Sequence, residues 1–440
     1  MELRDLIVTP TYIFLIGGIL YFFRQDLAPK PLQKHLFPAF VLKIFGAITL
    51  GLVYQFYYGG GDTFGFTTYG AGYIWEAFLK DPLAGLKLIF LDNEYQSDTF
   101  RYASRMWYFD DTPSYFVVRV AGIFSLVTFN TYSSIAVIFA SLSFLSLWML
   151  FKSLNKMYPQ LSDKLFYCIF LIPSVVFWGS GVLKDTLTLS AVALSVYSFL
   201  NLFIFRKNQF LSVTFFISSL LVLFTVKIYI LITLIPALLI WIFFINIKRI
   251  RNKVLRIVLG PVFFFGFLAL GLILISQITQ DNRKYSMSSV LTTVEVTAKD
   301  NSMWTVRRDG SGYNLGDYDF SPKGMLNKFL PGIWVTLFRP YIWEVNSPIM
   351  LLSALESLFL LLLTIYMLFV RRRLGFQKLK IKDPFIVFCF AFSLAFAFAV
   401  GVSSGNFGSL VRYKIPLLPF FSIGLFLLNP QQSKLHRTTQ

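Results

Sequence analysis

Long apolar runs recur from one end of this 440-residue chain to the other. Runs of about 20 apolar residues are typical of helices that cross a bilayer. Only 14% of the residues are charged, whereas soluble domains have about 25%, so a soluble globular protein is excluded. We predict an all-α polytopic membrane protein, a single integral membrane domain over residues 1–440, with about eleven spans in a range of ten to twelve. The predicted spans are 6–23, 37–57, 132–151, 165–178, 186–205, 210–226, 228–244, 255–275, 348–370, 384–400 and 413–428.

The excess of positive charge predicts the orientation. The formal net charge is +18, and basic residues cluster at 248–256 and 371–382. Since Lys and Arg concentrate in short cytoplasmic loops, eleven spans with the amino terminus outside and the carboxyl terminus inside leave the whole excess on one face. A twelfth apolar stretch, 115–129, contains Arg119 and is interpreted as interfacial or re-entrant. The charge therefore indicates a membrane partner, and we expect no nucleic acid.

Two long external loops follow from this topology. In the first, 58–131, Ile74, Phe78 and Leu79 lie roughly on one face of an amphipathic stretch, which predicts a helix lying on the membrane surface. The second, 276–347, begins with a polar tract and becomes apolar again toward its end. We expect a mobile segment there, followed by an interfacial helix.

The cysteines and histidines exclude several kinds of chemistry. Cys168 and Cys389 lie inside apolar runs, and His35 and His436 lie in basic polar stretches. No disulfide framework or histidine metal centre is expected, and we predict neither a metal nor another cofactor. Acid–base chemistry would have to come from carboxylates.

A glycine-rich segment follows the second span. In YYGGGDTFGF, three glycines allow a sharp turn that presents Asp62 at the external surface. Asp62 is a candidate general base or ligand of a substrate hydroxyl. The alternative is a turn with a capping aspartate. Aromatic residues around it, among them Tyr69, suit stacking on a sugar ring, although an interfacial aromatic belt explains them equally well.

A second polar segment interrupts an apolar run in the middle of the chain. In PSVVFWGSGVLKDTL, Pro173 and the glycines around Ser180 predict a broken helix that exposes Lys184 and Asp185. Broken helices at membrane depth occur where they line a polar cavity. Lys184 is a candidate phosphate ligand, and a local cap at a helix start is the alternative.

Other candidates for substrate binding lie on the same predicted face. Arg412 and Arg339 offer planar forks that suit phosphate oxygens, although snorkelling toward lipid headgroups would also explain them. Asp110 and Asp111 form an adjacent acidic pair, for which a solvated turn is the alternative. Carboxylates beside cations are what an enzyme needs to deprotonate a hydroxyl while it holds a phosphate leaving group.

At these residues the chain resembles the GT-C superfamily of polytopic glycosyltransferases, in particular bacterial transferases and polysaccharide polymerases that use polyprenyl-linked sugars. The resemblance lies in GGGD after an early span, in PSVVFWGSGVLKD, in FRPYIWE and in RYKIPLLP at the last span, a few dozen residues in all. In contrast to the acidic pair common early in that family, Asp62 is single, and Asp110–Asp111 comes later.

The resemblance implies transfer of a sugar or oligosaccharide from a polyprenyl phosphate or diphosphate to an acceptor hydroxyl on a glycan or lipid-linked acceptor. It implies Asp62 as the base, inversion at the anomeric carbon, and chemistry on the external face of a bacterial cytoplasmic membrane. We expect Lys184, Arg412 and Arg339 to neutralise the leaving phosphate. The expected partners are the lipid-linked donor, the acceptor and membrane lipids.

Two other classes stay open at the level of sequence. A transporter or flippase for a lipid-linked or anionic substrate would use polar groups within the bilayer, and the sequence offers mainly Lys43 and Glu356. A structural scaffold is the third interpretation. It leaves the placement of Asp62, Lys184 and Arg412 on one predicted face unexplained.

Overall fold

The computed structural model describes residues 3–247, 266, 295–296, 312–315, 322–373 and 383–428. The chain divides into two compact units, which are described separately below. The first comprises Met1–Leu171 and Val175–Lys227, and the second comprises Ile172–Ser174 and Ile228–Gln440. The interpretation of residues 1–440 as one membrane domain stays a prediction.

The described residues are almost entirely helical. As far as Lys227, the α-helices are α1 Asp5–Phe22, α2 Arg24–Leu27, α3 Gln33–Leu52, α4 Asp62–Phe66, α5 Gly72–Lys80, α6 Pro82–Phe90, α7 Phe100–Ala103, α8 Thr112–Val127, α9 Tyr132–Met157, α10 Ser162–Phe170, α11 Pro173–Phe177, α12 Lys184–Phe199 and α13 Gln209–Val226. Beyond it they are α14 Ile228–Asn246, α15 Pro322–Asn327, α16 Phe329–Phe338, α17 Pro348–Arg373, α18 Pro384–Ser404, α19 Phe407–Tyr413 and α20 Leu418–Leu427. Turns of π-helix extend α3, α4 and α12, and 3₁₀ turns lie at Lys30–Leu32, Pro159–Leu161, Ile342–Glu344 and Ile415–Leu417.

Nine helical segments within the described ranges are long and apolar enough to cross a membrane, so the chain is an all-α, multi-pass membrane protein. They are Asp5–Phe22, Lys30–Tyr57, Tyr132–Met157, Lys184–Phe205, Gln209–Val226, Ile228–Asn246, Pro348–Phe369, Pro384–Ser404 and Phe407–Leu427.

The remaining predicted spans have different outcomes. The predicted span 165–178 is divided into the short helices α10 and α11, with Leu171 and Ile172 between them. The predicted span 255–275 lies outside the described residues except for Gly266, and so do His436, the basic cluster 248–256 and most of the loop 276–347. The orientation of the termini stays a prediction.

Small side chains bring helices close together in the first unit. The long helix α9 packs on α1, α3 and α12, and its buried serines include Ser134 and Ser143. Gly46 of α3 is the tightest point, because a Cβ there would lie 2.0 Å from the carbonyl oxygen of Val176. Such small-residue contacts are typical of helix packing within membranes.

The first predicted external loop, 58–131, contains the short helices α4 to α7 and the sixteen-residue helix α8. The predicted apolar face is divided between two environments. Ile74 is buried against Gly122 of α8, whereas the Leu79 side chain is exposed. Helices in this loop are confirmed. Their position at a membrane surface stays a prediction.

The second unit is built around α18, which packs against α14, α16 and α20. Phe388, Phe392 and Phe396 stack on one another along α18, with ring planes 4° apart in both steps. Gly401 of the same helix meets the backbone of Gly332 in α16, where a Cβ would lie 2.2 Å from the Gly332 carbonyl oxygen. Aromatic stacking and glycine contacts therefore hold the helices of this unit together.

Candidate functional site

Asp62 is presented by a turn that only glycine adopts readily. Gly59, Gly60 and Gly61 have φ values of +66°, +141° and +128°, in the region that L side chains avoid. A Cβ at Gly61 would also lie 2.7 Å from the Tyr54 ring. Asp62 then begins α4, half-buried, and its Oδ1 accepts a hydrogen bond of 3.2 Å from the Tyr108 hydroxyl. The predicted glycine turn is confirmed, and Tyr108 is a contact that the sequence did not indicate.

Tyr108 belongs to a short stretch that we call the WYFDD segment, residues 107–111. The segment is docked on the turn that follows α4: the Trp107 amide donates to the Tyr69 carbonyl at 3.3 Å. Gly65 of α4 allows the Tyr108 ring to approach, because a Cβ at position 65 would lie 2.5 Å from that ring. Phe109 is buried and anchors the middle of the segment.

The end of the WYFDD segment reaches the second motif. Asp111 caps α8 by accepting a hydrogen bond of 3.1 Å from the Ser114 amide, and the Lys184 ammonium donates to the same carboxylate at 3.2 Å. Burial raises the pKa of Asp111, but the charge of Lys184 and the hydrogen bonds outweigh it, so the pKa lies below its ordinary value. Five consecutive residues thus contact both Asp62 and Lys184.

Lys184 follows a helix break whose freed carbonyl groups are satisfied by side chains. The ammonium of Lys43 donates to the Val175 and Gly179 carbonyls at 3.1 and 2.5 Å. Thr186 donates to the carbonyl of Gly181 at 2.6 Å. Because each unsatisfied carbonyl would cost several kcal/mol in lipid, these contacts allow the break to exist at membrane depth.

Asp185 does not reach the surface beside Lys184. Its carboxylate accepts a hydrogen bond from Lys227, and the two side chains are only 1% and 8% exposed. The predicted broken helix is confirmed, whereas Asp185 lies in a buried ion pair. Its role in substrate binding stays a prediction.

The remaining candidates in this unit lie around the WYFDD segment. Asp110 is exposed and accepts a hydrogen bond of 3.1 Å from the Tyr95 hydroxyl. Tyr69 is stacked on Trp107, with ring centroids 4.1 Å apart and planes 5° apart. The segment therefore brings together four predicted residues, namely Asp62, Asp110, Asp111 and Lys184, with Tyr69 against its first residue.

The two predicted arginines belong to the second unit. The guanidinium of Arg339 already forms a bidentate pair with Glu344, with Nε donating to Oε2 at 3.0 Å. Arg412 lies in the last turn of α19, inside the apolar segment Phe407–Leu427 and not at its beginning. The position of both arginines relative to Asp62 stays a prediction.

The second unit also contains a buried polar cluster. Glu356 accepts a hydrogen bond of 2.7 Å from the Ser174 amide through Oε2, while Oε1 is buried without a hydrogen-bond partner among the residues that the structure describes. The ammonium of Lys414 donates to Ser357 at 2.9 Å and to the Arg339 carbonyl at 3.4 Å. Glu356 and Arg339 stood out in the sequence as single residues, but their contacts with Ser174 and Lys414 did not, since these partners come from distant segments.

Over the described ranges, no group of three or more His, Cys, Asp or Glu side chains is placed to hold a metal ion. Comparisons with protein families, with curated proteins and with solved structures found no match.

Proposed function

We propose that this protein is a GT-C-like membrane glycosyltransferase, which transfers a sugar or oligosaccharide from a polyprenyl phosphate or diphosphate to an acceptor hydroxyl. The observation that supports the proposal is the WYFDD segment, which contacts Asp62 through Tyr108 and Lys184 through Asp111. A carboxylate base and a cation tied to one short segment suit a reaction that needs both at once.

Asp62 would accept the proton of the acceptor hydroxyl. The oxygen would attack the anomeric carbon as the bond from that carbon to the phosphate oxygen breaks, which inverts the configuration. The electron pair of that bond would leave with the polyprenyl phosphate. Lys184 would neutralise this negative charge, for which it must turn from Asp111 to the phosphate.

The membrane face and the acceptor are part of the same proposal. The reaction would take place on the external face of a bacterial cytoplasmic membrane, with a glycan or a lipid-linked molecule as acceptor. Arg412 and Arg339 are proposed to assist Lys184 in neutralising the phosphate. For this, Arg339 would have to give up its hydrogen bonds to Glu344. Asp185 would act indirectly, by holding the start of α12.

The release of polyprenyl phosphate or diphosphate tests the proposal without knowledge of the sugar. The protein is reconstituted in vesicles with a panel of polyprenyl-linked monosaccharides and an extract of cell-envelope glycans. Asp62→Asn should lower release by at least about 100-fold, since general base catalysis contributes this much. Lys184→Met should raise the donor KM about tenfold.

Asp81→Asn is the matched control, because Asp81 also lies at the start of a helix in the same loop and caps α6. Release that is unchanged in Asp62→Asn would remove Asp62 as the base. Absence of release by the wild-type protein across the whole panel would contradict the proposed function.

A transporter or flippase is the second candidate, and Glu356 favours it. A buried carboxylate with one oxygen that has no partner within the described ranges is the kind of group that binds a proton or a substrate within a membrane. Movement of a fluorescent polyprenyl phosphate between leaflets, measured by dithionite quenching, distinguishes the two. Movement that is lost in Glu356→Gln, without release of sugar, would favour the transporter.

A further inference from the structure

Trp107 presents a flat aromatic surface beside the proposed base. Trp107 is 58% exposed although one face of its ring is stacked on Tyr69, a residue that is itself 38% exposed. Tyrosine and tryptophan are enriched at interfaces, where one end of the ring is apolar and the other is wet. The next residue, Tyr108, is the hydrogen-bond donor to Asp62. The aromatic surface and the carboxylate are therefore neighbours along the same segment.

The orientation of Trp107 is determined before any ligand binds. Its backbone amide is bound to the Tyr69 carbonyl at 3.3 Å, and a Cβ at Gly65 would lie 3.4 Å from its ring. The parallel Tyr69 ring supports it from one side. A ring held in this way loses little conformational freedom when a ligand stacks on it.

The surroundings of Trp107 indicate the chemistry of the ligand. A pyranose has a face of C–H groups that packs on an aromatic ring, and a rim of hydroxyls that donate hydrogen bonds to carboxylates. Asp62 and Asp110 lie in or against the same segment and are at least partly exposed. A lipid chain would have no use for these carboxylates.

We propose that Trp107 is the acceptor platform and that the acceptor is a glycan, one pyranose ring of which stacks on the indole while its hydroxyl faces Asp62. This inference rests on the proposed function. It narrows the acceptor to a sugar hydroxyl and excludes the hydroxyl of a simple lipid. Trp107 becomes a residue that determines acceptor specificity, distinct from the cations assigned to the donor.

Binding measured without donor tests the platform directly. The protein in nanodiscs is titrated with hexasaccharides of glucose, N-acetylglucosamine, galactose and mannose, and tryptophan fluorescence is followed. The contribution of Trp107 to the fluorescence is the difference in signal between wild type and Trp107→Phe. We expect at least one glycan to quench it. Binding to the variants, which lack this indole, is measured by isothermal titration calorimetry: Trp107→Ala should weaken it about fivefold to tenfold, and Trp107→Phe, which keeps a ring, should bind within about twofold of wild type.

Trp343→Ala is the matched control, since Trp343 is also exposed and stacked on a tyrosine, Tyr341, at 4.9 Å. It should leave glycan binding unchanged. A parallel titration uses nanodiscs with brominated lipids. Quenching of Trp107 by these lipids, with no response to any hexasaccharide, would overturn the platform and make Trp107 part of an interfacial belt.

Failure of the platform and failure of the proposed function give different results. Glycan binding that depends on Trp107, in a protein that never releases polyprenyl phosphate, would support the site and contradict the transferase. Release of polyprenyl phosphate with an unchanged acceptor KM in Trp107→Ala would support the transferase and overturn the platform.

Discussion

Lys227 donates a hydrogen bond to Asp185 across 42 positions of the sequence, and both side chains are buried in the first unit. Each charge is stabilised by the other and has little access to water. Removal of one partner leaves the other charge buried without its ion pair, which costs about 3–5 kcal/mol. We expect Asp185→Asn to lower the thermal stability of the protein in detergent strongly, as measured by size-exclusion chromatography with fluorescence detection.

The double variant Asp185→Leu/Lys227→Met should recover most of this loss, because it removes both charges. The exposed pair Lys34–Asp163 is the control, and Asp163→Asn should have a small effect. A double variant as unstable as Asp185→Asn would show that the two residues do not act as an ion pair.

Gly46→Ala should be strongly destabilising. Its Cβ would lie 2.0 Å from the Val176 carbonyl oxygen, which is backbone and cannot turn away. Overpacking of this kind costs about 1–3 kcal/mol or more. Gly18→Ala is the control: no atom of the described part of the chain lies within 4 Å of its Cβ, and alanine favours the helix. Equal melting temperatures of the two variants would contradict the close approach of α3 to the broken helix.

Tyr108→Phe should lower kcat about tenfold, because Asp62 loses the hydrogen bond that orients it. The KM of the lipid-linked donor should change little. Tyr12→Phe loses a tyrosine hydrogen bond to the Val127 carbonyl and is the control. A kcat equal to that of wild type, measured as polyprenyl phosphate release, would mean that Tyr108 does not orient the base.

The contact between Asp111 and Lys184 should make the thermal stability of the protein depend on pH in the acidic range. The folded pKa of Asp111 lies below its ordinary value, so its contribution is present above the unfolded pKa of about 3.9 and is lost as the pH falls through the folded pKa. The difference in melting temperature between wild type and Asp111→Asn should therefore narrow below about pH 4. A difference that is the same at pH 3 and pH 7 would remove the ion pair as its cause.

The sequence predicted what depends on local composition. Apolar runs located most of the spans because lipid requires each segment to satisfy its own backbone. The glycines before Asp62 predicted a sharp turn, and Pro173 with the glycines after it predicted a helix break. These features need only the residues next to them, and the structure contains them.

Contacts between distant segments were not predictable from the pattern of one sequence. Tyr108 reaches Asp62 from 46 positions away, and Lys43 reaches Gly179 from 136 positions away. Basic loops beside a membrane account for the net charge of +18, and this total does not reveal which individual lysines are buried. For this reason Lys43 appeared only as a charge inside a span.

The buried ammonium of Lys43 has a consequence for biogenesis. The carbonyls that bind it belong to residues at least 132 positions later in the chain. When α3 leaves the ribosome, these carbonyls have not been synthesised, so the lysine must stay near headgroups or water. The second span can therefore reach its final depth only after the segment around Gly179 has entered the membrane, which sets an order for the insertion of the helices.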